Sequence, residues 1–341
     1  MSTRSNIGIL NQDGTVDYIY CHFDGYVEHN MTLTEAKTIF DEAFLCQIEC
    51  LYINGNFGDA VMNPETTDII RYFKTANPNL KVIISTNAGA RSKKFWRELA
   101  QVADQIRYIE FTGGEPFMIE EHFELLRSLV SSGLAPNIEI HYNTNGTQWP
   151  EHAEEIWKHF KLVEIAFSID DVGPRFEYQR SNAIWSEVEA NIAKFRELRH
   201  HCPNIQLQVC ATVNVFNVYY VEELANWIDQ QAFDFVYWNV MHDAPYFSIA
   251  NLPKRAKQSI TNRLITAQVS DKNKQEFVKI MDFMNNGRQD MSERMLAEIR
   301  RVDHRRSYDG TQGRHWPLER SRMTSRKRSA TGGMSSPAED A

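Results

Sequence analysis

From residue 31 to about residue 299 the chain alternates amphipathic stretches with short apolar runs. Helical periodicity predicts helices over 34–45, 64–75, 92–103, 119–131, 151–159, 185–200 and 221–230. Asn63 and Pro64 open the second of these as N-cap and first helical residue. Between them lie strands over 50–53, 82–85, 107–112, 138–142, 163–169, 205–213 and 235–240, read as continuously apolar or β-branched. Helices alternating with such strands predict parallel βαβ units, with the sheet covered on both faces. The expected fold is α/β, a partial (βα)6 TIM-type barrel of parallel strands with outer helices. Ahead of it, 6–10 and 16–20 flank Asp13-Gly14, a hairpin signal. After residue 299 the periodicity fades. The expected organisation is a β-hairpin over 1–30, a barrel over 31–299 and a disordered basic tail over 300–341.

Charge sharpens that division. Of 37 Lys and Arg and 45 Asp and Glu, the segment 300–341 holds 10 and 5, so the body is acidic and the tail basic. An acidic body disfavours duplex binding, which needs phosphate neutralisation, and leaves the tail as the candidate nucleic-acid contact. No stretch approaches the ~18 apolar residues of a membrane span, and nothing at the start resembles a signal peptide. A cytoplasmic protein without membrane contact is the expectation. Five scattered cysteines (Cys21, Cys46, Cys50, Cys202, Cys210) do not form a secreted disulfide pattern.

One pattern occurs twice. Leu51-Tyr-Ile-Asn-Gly-Asn-Phe-Gly-Asp59 is followed by Thr86-Asn-Ala-Gly89, and Tyr108-Ile-Glu-Phe-Thr-Gly-Gly-Glu-Pro116 by Thr144-Asn-Gly146. The offsets, Gly58 to Thr86 and Gly114 to Thr144, are 28 and 30 residues. Such spacing marks either repeated supersecondary units or the ordinary likeness of successive βα units. In parallel α/β folds functional groups sit at the carboxyl ends of strands. Here those ends carry Gly113, Gly114, Glu115 and Pro116, then Thr144 and Asn145, Ser168 and Asp170, Thr212 and Asn214, and Asn239 and His242. Five polar strand ends describe a polar mouth. A buried Glu115 needs a partner, for which a ligand ammonium is suited. Asn239 and His242, on the last strand end, are the candidate substrate contacts. Tyr219, Tyr220, Trp227 and Trp238 read as wall residues, and His200-His201-Cys202 as a helix end.

Thr112-Gly-Gly-Glu-Pro116, Thr144-Asn-Gly146 and Ser168-Ile-Asp170, in this order, resemble the radical SAM superfamily over about 106–299 and partly over 51–100, especially members with a short C-terminal twitch domain. The first 30 residues resemble a family of small phage and bacterial proteins, which offers no chemistry to carry over. The radical SAM resemblance implies S-adenosylmethionine as cofactor, with its methionyl ammonium on Gly113, Gly114, Glu115 and Pro116. It implies further contacts from Thr144, Asn145, Ser168, Asp170, Arg180, Thr212 and Asn214. It also implies a 4Fe–4S cluster, an electron donor, and hydrogen abstraction from a small-molecule or peptide substrate by a deoxyadenosyl radical. The family's cluster loop is Cys-x3-Cys-x2-Cys. Cys46 and Cys50 fit the first spacing, but Ile53 stands at the third position. No cysteine metal site is therefore expected. The chain reads as a mosaic or truncated form inactive in radical chemistry, as a clusterless nucleoside-binding barrel, or as an interaction protein acting through its tail.

Overall fold

The computed structural model describes residues 4–10, 16–22, 31–54, 63–86, 104, 106–112, 115–242, 244–287 and 289–308. Strands β1 (Arg4–Leu10) and β2 (Val16–His22) pair antiparallel, as the hairpin pattern predicts. This two-stranded sheet is separate from the main one, and β1 runs beside β3. The expected turn at Asp13-Gly14 lies outside the described residues, as does the helix expected over 92–103.

The main sheet has seven parallel strands in sequence order: β3 (Cys50–Asn54), β4 (Lys81–Thr86), β5 (Ile106–Phe111), β6 (Glu139–Thr144), β7 (Leu162–Ser168), β8 (Ile205–Val213) and β9 (Phe235–Val240). Among the described residues each strand pairs only with its sequence neighbours, which gives a partial TIM-type barrel with β3 and β9 as its outermost strands. Six crossovers join the seven strands. Five of them carry helices among the described residues: α3 (Thr66–Ala76), α4 (Glu120–Ser131), α5 (Ala153–Trp157), the pair α6 (Gly173–Gln179) and α7 (Trp185–His201), and α8 (Val221–Gln230).

Two helices precede the sheet where the pattern suggests one. The helix expected over 34–45 is split into α1 (Leu33–Ile39) and α2 (Glu42–Leu45). The cause is local: Asp41 is extended and its carboxylate accepts from the Phe44 amide, starting a new helix. Thr32 and Glu35 form a capping box on α1. Beyond β9, helices α9 (Lys254–Ile265) and α10 (Asp271–Asn286) bring Ile260, Leu264, Phe277 and Ile280 together with Val213 and Ile249 in a second core. Helix α11 (Ser292–Tyr308) then continues past residue 300, so the boundary expected there falls inside a helix. The reason is packing: Ile299 and Val302 are half-buried, and the Tyr178 hydroxyl donates to Asp303 at 3.0 Å. Residues 309–341, most of the expected tail, lie outside the described residues. No helix among those described is long and apolar enough to cross a membrane.

The strands are not continuously apolar, and this positions the site. In β8, Leu207, Val209, Ala211 and Val213 are fully buried, while Gln206, Gln208, Cys210 and Thr212 between them are half-buried. β6 alternates in the same way, with Ile140, Tyr142 and Thr144 buried and Glu139, His141 and Asn143 half-buried. One face therefore packs on the helices and the other is an inner polar face. The outer core is strongly aromatic: Phe111, Phe117, Tyr142, Trp157 and Phe195 form a continuous cluster.

His122 of α4 sits inside that cluster, fully buried against Phe111, Phe123 and Tyr142. Its Nδ1 pairs with the Ile119 carbonyl, while its Nε2 has no partner among the described residues. Burial lowers its pKa from 6.5 to about 3. A histidine held neutral in this way gives full stability above about 6.5, and that stability is lost as pH falls toward 3, because only the unfolded chain takes up the proton. The loss is about 1.4 kcal/mol per pH unit below 6.5. Urea unfolding at pH 6.5 and pH 5 should show this slope as the difference between the wild type and a His122→Phe variant, since Asp171 acts in the opposite direction in the same range. Equal slopes in the two proteins would remove the explanation.

Candidate functional site

Two polar clusters lie on neighbouring strand ends at the carboxyl end of the sheet. The first joins β5 to β6. Glu115 follows β5 and caps a 3-10 turn, Pro116–Met118, in which Pro116 takes the first position. Glu115 is 8% exposed. The Thr144 hydroxyl reaches both carboxylate oxygens, at 2.9 and 3.0 Å, and the Asn145 amide donates at 2.9 Å. The Phe117 amide donates more weakly, at 3.4 Å. Burial raises the pKa of Glu115, and these donors and the Arg180 charge oppose the rise. Part of the partner that sequence reasoning sought in a ligand is thus supplied by the chain. Thr144 in turn accepts from the Gly146 amide at 3.0 Å. Gly146 has φ of +77°, and a Cβ there would meet Val188 at 3.0 Å, so glycine is needed on both counts.

The second cluster joins β7 to β8. Asp170 is 9% exposed. It accepts from Arg180 Nη2 at 2.8 Å and Nε at 3.2 Å, and from the Thr212 amide at 2.9 Å. Asn214 donates to Gln179 Oε1 at 2.9 Å, and Asn217 donates to the Asp170 and Thr212 carbonyls at 2.7 and 2.8 Å. Arg180 links the clusters, since its charge also acts on Glu115. The Ser168 hydroxyl, half-buried beside Cys210, has no hydrogen bond among the described residues. Neither has the side-chain Nδ2 of Asn145, whose Oδ1 accepts from Thr147.

The structure thus gathers Glu115, Pro116, Thr144, Asn145, Ser168, Asp170, Arg180, Thr212 and Asn214 along four adjacent strand ends. Gly113 and Gly114 lie outside the described residues. Asn239 and His242 stand apart on the edge strand side. Asn239 is exposed with its Oδ1 accepting from the Val240 amide, and His242 is exposed and edge-on to Phe283. Asn217 and Gln179 had no sequence signal beyond lying near polar strand ends.

Behind this mouth, Asp171 is fully buried and paired with Arg175 Nε at 3.0 Å on both oxygens. Arg175 also donates to Glu223 at 2.6 Å and stacks on Tyr220. Tyr219 and Tyr220 are therefore platforms for Arg263 and Arg175. Burial raises the Asp171 carboxyl from 3.8 to about 6 against the pull of Arg175.

The sequence model described as the radical SAM superfamily matches residues 89–229, the stretch that holds both clusters. Over this stretch the chain is similar to the radical SAM superfamily. No curated protein matches the chain. Among solved structures, the chain is similar to native anSMEcpe with bound AdoMet, at 19% identity and a TM-score of 0.39, covering 59% of this chain and 54% of that one. It spans about half the length of that protein. It is also similar to the catalytic domain of a hyperthermophilic chitinase from Pyrococcus furiosus, at 14% identity and a TM-score of 0.28, covering 75% and 92%.

The cysteines present do not fit the family's three-cysteine cluster loop. Cys46 caps the end of α2, and its thiol lies 3.4 Å from the Ala76 carbonyl, at the amino end of the sheet. Cys50 begins β3 opposite Lys81, also at the amino end, away from Glu115. Cys202 is buried at the end of α7. Cys210 alone faces inward near the mouth, its thiol pKa raised by burial and by Asp170. The sequence from Gly55 to Met62, which follows β3, contains no cysteine. Among the described residues no group of three or more His, Cys, Asp or Glu side chains could hold a metal ion.

Proposed function

We propose that this radical SAM-type barrel binds S-adenosylmethionine at the carboxyl end of β5–β8 and that it does so without the family's cluster. The observation that carries the reading is the pair of neighbouring clusters, Glu115–Thr144–Asn145 and Asp170–Arg180–Thr212, inside the segment that matches the family. S-adenosylmethionine brings an ammonium, a carboxylate, ribose hydroxyls and a sulfonium carbon that is the reactive centre. The residues fit such a ligand. Glu115 supplies negative charge for the ammonium, and Arg180 supplies a guanidinium for the carboxylate. The Ser168 hydroxyl and Asn145 Nδ2, which lack partners among the described residues, supply hydrogen bonds for the hydroxyls. The chain's part is to bind and orient, and the cysteine positions support a ligand-binding barrel over a radical enzyme. No substrate for a further reaction follows from these contacts.

Calorimetric titration of S-adenosylmethionine into iron-free protein tests this. Saturable one-to-one binding is expected, weakened roughly tenfold in Asp170→Asn, the weight of one charge-assisted hydrogen bond at about 1.5 kcal/mol. Equal affinity in both proteins would remove the second cluster from the site.

A further inference from the structure

The inner face below the mouth carries a row of side chains that the cofactor reading does not use. Glu110 on β5, His141 on β6, Glu164 on β7 and Gln206 on β8 are partners in consecutive registers, so they lie side by side across the sheet. His141 Nδ1 is 3.2 Å from Glu164 Oε2, and the other Glu164 oxygen accepts from Gln208 Nε2 at 2.9 Å. Glu110 accepts from Asn143 at 3.4 Å. The Tyr108 ring stacks over the imidazole at 6.4 Å. The side chains of His141 and Glu164 keep 14% and 20% of their surface accessible. Parallel sheets are ordinarily covered on both faces by apolar side chains, so a partly accessible hydrogen-bonded row there needs another account.

The geometry of the row is directional. With Nδ1–H donating to Glu164, which Gln208 fixes from the far side, the second imidazole nitrogen is left as an acceptor, and the carboxylate locks that tautomer. The carboxylates at the two ends of the inner face have cationic partners: Glu139 pairs with Lys161 near the strand starts, and Asp170 with Arg180 at the mouth. In the middle, Glu110 and Glu164 flank one imidazole, and the strand positions beside them in the registers of β5–β8 hold no Lys or Arg. Carboxylates sheltered from water in this way favour a cation as companion.

We propose that Glu110, His141 and Glu164 form a subsite for the amine of a substrate that enters from the mouth. His141 Nε2 accepts one ammonium hydrogen and Glu110 accepts another, while Glu164 and Gln208 hold the ring in place. The substrate class is therefore a primary amine, such as a lysine-like side chain or an alkylamine. This deepens the reading of the barrel as an S-adenosylmethionine-binding domain and rests on it for the direction of entry.

The probe is lysine amide, with norleucine amide as a match in size that lacks the side-chain ammonium. Binding is read by calorimetry and by the His141 imidazole signals in NMR. Lysine amide should bind at least tenfold more tightly than norleucine amide and shift the His141 resonances. His141→Phe, which keeps an aromatic ring beside Tyr108, and Glu110→Gln should each remove that preference. S-adenosylmethionine titration on the same samples should be unchanged. Equal response to the two amides, or a lysine preference that survives both substitutions, overturns the subsite. If a variant does not fold, the wild-type His141 signal decides, because an unshifted signal at saturating lysine amide overturns it equally. Loss of S-adenosylmethionine binding in the wild type with the amine preference intact would sink the cofactor reading and leave the subsite standing.

Discussion

Glu115→Ala is expected to destabilise the domain by about 3 kcal/mol and to abolish S-adenosylmethionine binding. The stability loss follows from contacts already made. Thr144 and the Asn145 amide lose a buried carboxylate acceptor, and the turn at Pro116 loses its cap. A charge-assisted hydrogen bond contributes ~1.5–3 kcal/mol, and orphaned buried donors add their desolvation cost. The binding loss follows from removing the negative charge for the ligand ammonium. Glu115→Gln separates the two effects. It retains an acceptor for Thr144, so stability should largely recover, while binding should stay weakened by tenfold or more. Urea unfolding and calorimetry of the three proteins check this. Full affinity in Glu115→Gln would show that Glu115 only ties β5 to β6.

Arg175→Ala should be the most damaging change outside the site. Asp171 is fully buried, and Arg175 is its ionic partner among the described residues, gripping both oxygens. Removing one partner of such a pair typically costs ~3–5 kcal/mol. The pH dependence identifies the cause. The folded carboxyl already has its pKa raised from 3.8 to about 6, so the folded state holds the proton more tightly than the unfolded state between those values. Raising the pH through that window therefore costs stability, and lowering it restores stability. Without Arg175 the folded pKa rises further, so the defect should be large at pH 7.5 and shrink toward pH 4. The His122 effect runs the opposite way in acid. The comparison must therefore be the difference between variant and wild type at each pH. A defect independent of pH would mean that lost packing on Tyr220, and not the stranded carboxylate, is responsible.

Much of the architecture was legible because helical and strand periods alternate along the chain. The strands expected from the pattern all form, and α8 spans the residues its periodicity marks. The turn at Glu115 and Pro116 was legible too, since proline at a first helical position and a polar strand end are local signals. What local signals cannot carry is register. Thr144 lies 29 residues from Glu115, and only the pairing of β5 with β6 brings its hydroxyl to the carboxylate. The sequence therefore suggested an acid awaiting a ligand where the fold supplies donors of its own. The His141–Glu164–Gln208 row was missed for the same reason. Each polar residue alternates with strongly apolar ones, so Glu139-Ile-His-Tyr-Asn-Thr144 reads as an ordinary mixed strand until its neighbours are known. The break at Asp41 was hidden by apolar residues on both sides. The extension of α11 beyond residue 300 was hidden by a local excess of charge, although Ile299 and Val302 keep a packed stripe.

The most direct test of the central claim is S-adenosylmethionine binding by protein shown to contain no iron or acid-labile sulfide. Stoichiometric, saturable binding that Glu115→Gln weakens is the predicted result. Absence of binding in iron-free protein, with binding restored only after about four irons per chain are built in, would contradict it and return the domain to cluster-dependent chemistry.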